Sequence, residues 1–171
     1  MSVHRLKILP TAAATGRLVM AQAVLDATAD ALRSAGTARE RHEGLVWWLG
    51  RHVAPDTVVV AAHAPVTRSG PDHVFADEAA TGAASRLARA FELGVVAQVH
   101  SHPGSDTRHS DGDDDLILLP YEGMFSLVVS RYGTGSMIPE EGAGLHQFQH
   151  DRWVQVEPAG GVLVVVPPAV G

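Results

Sequence analysis

The sequence predicts a mixed α+β chain, within the α/β class, in which one sheet is covered by two helices. Three observations predict it. Two stretches space their apolar residues three and four apart, the period of a helix with one buried face. Several apolar runs of strand length are bounded by glycine or proline. The two kinds of segment are interleaved, with no repeat and no linker between them. At 171 residues, 46% of them hydrophobic and 19% charged, the chain is too apolar for disorder and long enough to bury roughly 70% of its unfolded surface. A single domain over residues 1–171 is the expectation.

In chain order, Arg5 to Leu9 is short and partly alternating, an opening strand that Pro10 ends. Leu18, Ala21, Leu25, Thr28 and Leu32 then fall on one helical face, with Gly36 as the stop. Leu45 to Leu49, between Gly44 and Gly50, and Val58 to Ala62, between Pro55 and Pro65, suit buried strands. Arg68 to Val74 reads as a surface loop. Asp77 and Glu78 sit where a helix N-terminus prefers negative charge, and Ala80, Ala83, Leu87 and Phe91 follow at helical spacing up to Gly94. Val95 to Val99 is a strand leading into His100. Beyond a polar stretch come the apolar run Leu116 to Leu119, a strand from Met124 to Ser130 and a loop from Gly133 to Gly144. Trp153 to Val156 and Val162 to Val166 close the chain as strands.

Composition removes several function classes. There is no cysteine, hence no disulfide, thiolate metal site or cysteine nucleophile, and any metal must be held by His, Asp or Glu. The net charge of −6 and the lack of a Lys/Arg block argue against nucleic acid. Lys7 is the only lysine among 13 basic residues, a bias that codon drift in a GC-rich genome explains. No apolar run approaches the ~20 residues of a membrane span, and the N-terminus lacks a signal-peptide core. A soluble, cytoplasmic protein that does not enter membranes is expected.

One stretch stands apart, from Val99 through His100, His102, Pro103 and Ser110 to Asp113. On a strand, residues i and i+2 share a face, so the imidazoles of His100 and His102 can converge on one ion. Pro103 and Gly104 end that strand, leaving the pair at its C-terminal edge, where open sheets commonly place ligands. Ser110 and Asp113 have the Ser-x-x-Asp spacing of a helix start, and an acid one turn in can face back toward the histidines. Asp113, Asp114 and Asp115 all compete for that role. Two imidazoles and a carboxylate leave a fourth tetrahedral position for water, the arrangement of a catalytic zinc site. His109 and Asp106 in the same loop read as surface residues. A hydrolytic site also needs a base, and Glu40, Glu43, Glu78 and Glu92 are available. Glu43 stands at the entrance to an apolar run, where partial desolvation raises basicity. On local sequence alone an ordinary solvated strand-end acid describes it better.

These residues resemble the signature of the JAMM (MPN+) metalloproteases, in its prokaryotic JAB-type branch. That signature is an upstream Glu, then His-x-His-Pro, a seven-residue gap counted from the Pro, Ser, two residues and Asp. His100, His102, Pro103, Ser110 and Asp113 match it. Glu43 followed by Gly50 matches the upstream element, which favours Glu43 over Glu40. Trp47 and Trp48 depart from it, since many relatives carry smaller residues there. The resemblance is strongest over residues 40–133, including the later Leu119-Pro120-Tyr121-Glu122-Gly123 stretch.

The resemblance implies a curved, mostly antiparallel sheet flanked by helices, with Zn2+ held by His100, His102 and Asp113. Glu43 would be the general base and Ser110 the donor to the oxyanion. It implies cleavage of peptide or isopeptide bonds after the C-terminal tail of a ubiquitin-like protein, with E1-like and E2-like conjugation proteins as possible partners. Two other functions fit the same residues: trimming the C-terminus of a sulfur-carrier protein, and a non-catalytic binding module.

Overall fold

The computed structural model describes residues 5–116 and 120–169, with the backbone alone at Asp115. Its elements are β1 (Thr11–Ala12), β2 (Leu18–Ala21), α1 (Gln22–Arg33), β3 (Leu45–Val53), β4 (Asp56–His63), β5 (Arg68–Gly70), β6 (His73–Phe75), α2 (Glu78–Ala90), β7 (Gly94–Ser101), β8 (Phe125–Val129), β9 (Gly144–Gln149), β10 (Arg152–Val156) and β11 (Leu163–Val166). Nine strands form one mixed sheet in the order β1-β10-β9-β8-β7-β3-β4-β2-β11, and β5 and β6 form a separate hairpin. The antiparallel ladders of β3 with β4 and β7, and of β9 with β8 and β10, hold most of the paired residues. Parallel ladders join β7 to β8, β2 to β4 and β11, and β1 to β10. The class is the mixed α+β one expected.

β3 organises both sides of the sheet. Successive strand residues face opposite ways, and the tryptophan pair uses this directly. Trp48 packs in the larger core with Leu25, Ala29 and Leu32 of α1. Trp47 packs in the smaller one with Ala80 and Ala84 of α2 and Val74 of β6. The Trp48 indole N–H donates to Thr28 Oγ1 at 2.8 Å, tying β3 to α1. Register shifts on either side of Leu49 bend the strand here. Gly50 is required at the bend, because a Cβ there would lie 2.1 Å from the Val58 carbonyl oxygen.

Several expectations change. The helix placed from Leu18 begins at Gln22. Leu18 to Ala21 is β2, in which Leu18 and Met20 alternate inward, while Leu25, Thr28 and Leu32 keep the helical face. A period of two ran straight into a period of 3.6 without a turn residue between them. In α2, capped by the Asp77 carboxylate accepting from the Ala80 N–H, the buried face is Ala80, Ala84 and Ala88, and Leu87 and Phe91 point outward. Small residues let the helix lie close to the sheet, so the largest apolar side chains did not mark the inward face. Arg68 to Val74 is mostly the β5–β6 hairpin. The opening strand is reduced to one bridge at Leu6, and sheet pairing starts after Pro10, at β1. β9 had no apolar signature because its buried positions include His146, Gln147 and Gln149. Of the run Leu116 to Leu119, residues 117–119 lie outside the described residues.

The indole–hydroxyl bond yields a stability test. Thr28→Val preserves volume but leaves the Trp48 N–H unpaired in the core, which costs about 1–3 kcal/mol. The urea midpoint falls accordingly, and Thr28→Ser, which keeps the acceptor, loses less. Equal losses in the two variants would contradict the bond's role.

Candidate metal centre

β7 lies between β3 and β8, so the end that carries the histidines is buried. His100 pairs in register with Leu45 on one side and Val128 on the other and has no exposed surface. His102 follows one residue beyond the strand, and its N–H donates to the Val129 carbonyl at 2.9 Å, which keeps the chain extended. The two imidazoles therefore share a face, with their Nε2 atoms 3.2 Å apart. His102 Nδ1 lies 2.9 Å from the Asp106 carbonyl oxygen. That acceptor holds the proton on Nδ1 and leaves the Nε2 lone pair pointing inward.

Asp113 reaches the same point from a turn. Its Oδ2 accepts from the Ser110 N–H at 2.6 Å, and its own N–H donates to the Ser110 carbonyl. This is the reaching-back half of a capping box. The turn leads only into a 3₁₀ turn, Asp113–Asp115, instead of the helix expected from Ser110. Gly112 and consecutive acids are weak helix formers. Asp113 Oδ1 is 3.1 Å from His100 Nε2, and Oδ2 is 3.3 Å from His102 Nε2.

Glu43 enters from a third direction. Its N–H donates to the Gly70 carbonyl of the hairpin at 2.9 Å. Its neighbour Gly44 exchanges bonds with Ser101, donating to the Ser101 hydroxyl at 2.9 Å and accepting from the Ser101 N–H at 3.1 Å. The backbone that carries the carboxyl is thereby fixed against the end of β7. Glu43, His102, Ser110 and Asp113 line one open cleft of about 370 Å³, walled by Asp72, His73 and Val74 on the hairpin side.

The donor atoms of His100, His102 and Asp113 lie within 4.8 Å of one another, and all three residues are buried. Two imidazole nitrogens 3.2 Å apart beside a carboxylate gather negative potential at one point, which favours a positive charge among them. Two nitrogens and a carboxylate oxygen, open to a cleft on one side, suit a divalent ion such as zinc with a position left free. The residues present fit the ion.

Electrostatics separate the two acids. Burial pushes Glu43 up to about 7, with Asp113 and Asp72 adding to the rise against the opposing pull of His102. Burial acts on Asp113 too, but His100 and His102 outweigh it and hold its carboxyl far below the usual range. Complete burial pushes His100 down toward the neutral form. His102 is also buried, yet its bond to Asp113 wins and raises it. One carboxyl is thus held ionised and the other is poised to exchange a proton near neutral pH.

The remaining acids disperse. Glu40 is exposed beside His42, Glu92 pairs with Arg51 at the surface, and Glu78 sits in the first turn of α2. Asp114 turns away from the cleft toward Lys7 and His109. His109, expected at the surface, is fully buried instead, in ring contact with His146 and Trp153. Asp106 is half-buried, and its carbonyl, not its side chain, serves the site. The hairpin wall was missed, although Gly70-Pro71-Asp72 between two three-residue segments is a turn signal.

A family model described as prokaryotic homologs of the JAB domain matches residues 25–154. The chain belongs to this family. The matched span contains the cleft residues from Glu43 to Asp113. A Desulfitobacterium hafniense protein solved in solution is similar to this JAB domain, with a TM-score of 0.63 and 17% identity over 88% of this chain and 94% of that one. A Salinibacter ruber protein is similar with a TM-score of 0.54 and 21% identity over 84% and 93%. Both likenesses concern the fold. No curated protein matches the JAB domain.

The raised Glu43 carboxyl predicts a pH signature. In the metal-free protein it stays protonated up to about pH 7, whereas the unfolded chain releases the same proton near pH 4.5. Stability therefore falls as pH rises through that window, by up to about 3 kcal/mol. Glu43→Gln removes the loss, gaining about 3 kcal/mol at pH 8 and almost nothing at pH 4.5. Denaturant titrations in chelator at the two pH values check this, and a gain independent of pH would contradict it.

Proposed function

We propose that this JAB domain is a zinc-dependent peptidase that cuts the peptide or isopeptide bond following the C-terminal tail of a ubiquitin-like protein. The observation that carries the reading is that Glu43, buried yet protonatable near neutrality, shares one cleft with His102 and Asp113, which with the buried His100 form the ion-holding trio. A divalent ion held by that trio supplies Lewis-acid chemistry, polarising a carbonyl and making water a better acid.

The chain's own residues do the rest. The Glu43 carboxylate accepts the proton of the attacking water and later delivers it to the leaving amine, a task suited to a group titrating near working pH. The Ser110 hydroxyl, at the rim of the cleft, donates to the oxygen that gains negative charge when the carbonyl is attacked. The Asp106 carbonyl keeps His102 in the useful tautomer. An extended tail fits between the hairpin and the loop that follows His102, where a backbone can lie as an added strand. E1-like and E2-like conjugation proteins are the partners this reading proposes.

The test uses a ubiquitin-like protein fused through its C-terminal tail to a reporter, and the same protein joined to a lysine side chain. The zinc-loaded enzyme releases the reporter, and chelator stops it. Glu43→Gln lowers kcat by about 10²- to 10⁴-fold while zinc content is unchanged, and Ser110→Ala lowers it by about 10²-fold. Hydrolysis that survives chelator, or Glu43→Gln at full rate, overturns the proposal.

A further inference from the structure

The turn that carries Asp113 is gripped from two sides by residues with no place in the chemistry above. On the outer side, residues 5–7 run antiparallel to residues 109–111. The Lys7 N–H donates to the His109 carbonyl at 2.7 Å, and the Asp111 N–H donates to the Arg5 carbonyl at 3.0 Å. Leu6 bridges Ser110 between them. At the end of this arm the Lys7 ammonium pairs with Asp114 Oδ2.

On the inner side, Asp114 Oδ1 faces His109 Nδ1 at 3.5 Å. His109 Nε2 lies 2.9 Å from the Ser126 hydroxyl of β8. That hydroxyl accepts from the Gln98 amide of β7 at 3.1 Å. The same Gln98 amide nitrogen lies 3.5 Å from the Asp113 carbonyl oxygen. The donors and acceptors run in one direction. Because Ser126 Oγ accepts from Gln98, its own proton is available for His109 Nε2. His109 then presents Nδ1–H to the Asp114 carboxylate, the only arrangement that does not set a lone pair against an anion. The His109 ring cannot drift, since His146 lies against it at 4.2 Å between centroids and Trp153 at 5.2 Å.

We propose that Lys7, Asp114 and His109 are positioning residues for the metal centre, a chain that turns the Asp114 carboxylate away from the cleft and holds the Asp113 carboxylate in it. The proposal rests on the reading of His100, His102 and Asp113 as metal ligands. Without Lys7, a half-buried anion stands next to the ligand carboxylate. Loss of either end of the Lys7–Asp114 pair frees the turn that seats the Asp113 carboxylate. The sole lysine of the chain therefore lies where a compact point charge has one carboxylate to neutralise.

The test is a competition titration of zinc(II) against a chromophoric chelator, with cobalt(II) substitution as a spectroscopic report on ligand geometry. Lys7→Met and Asp114→Asn each weaken zinc binding by about tenfold or more and alter the cobalt absorption, as loss of groups that orient ligands does. Lys7→Arg, which restores the charge, stays within about threefold of wild type. Wild-type affinity in both Lys7→Met and Asp114→Asn overturns the proposal. So does an equal loss in Lys7→Met and Lys7→Arg, because packing of the arm and not its charge would then be at work. A wild-type protein that takes up no ion overturns the metal reading itself, and the proposal with it.

Discussion

Two imidazole nitrogens 3.2 Å apart, with a carboxylate against both, form a cluster that attracts a positive charge. In the metal-free protein a proton shared toward His102 serves, which is why that histidine is raised and Asp113 is held ionised. The cluster depends on β7 being clamped between β3 and β8, because a buried strand end holds His100 out of solvent. The two tryptophans of β3 fix that clamp by packing one helix on each face of the sheet. The fold, seen from the site, is a frame for three side chains arriving from two directions.

Glu43 shows what the frame costs. A carboxyl whose backbone is pinned by the Gly70 carbonyl and the Gly44–Ser101 exchange is kept out of water and is penalised whenever it ionises. A solvated glutamate would be harmless to stability but a weaker base at neutral pH. Destabilisation concentrated in one reactive group is common where function sets the constraint.

Much of this was legible in the sequence, and the rest was hidden for definite reasons. His100 and His102 on one face, the stop at Pro103, and the interleaved apolar runs follow from periodicity, and β3, β4, β7, β8, β10, β11 and the body of both helices lie where the patterns put them. Choosing Asp113 over Asp114 was not possible from local pattern, because three consecutive acids look alike until Lys7 and His109 are seen to claim the second. Glu43 was likewise indistinct until Gly70, which is remote in sequence, was found bonded to its backbone. His109 was misjudged because a loop of charged neighbours gave no hint that Trp153 and His146 would cover it. β9 was invisible because most of its buried residues are polar, and Gln147 finds its partners in Thr15 and Gly123 far along the chain. Short-range pattern reports periodicity well and long-range hydrogen bonding not at all.

What surrounds the ion decides whether His100, His102 and Asp113 are its ligands. X-ray absorption at the zinc edge of the stoichiometrically loaded protein should find only nitrogen and oxygen neighbours near ~2.0–2.1 Å, with the outer-shell signature of two imidazoles. Three or more imidazoles, a six-oxygen shell, or a protein that retains no stoichiometric zinc would contradict this ligand set.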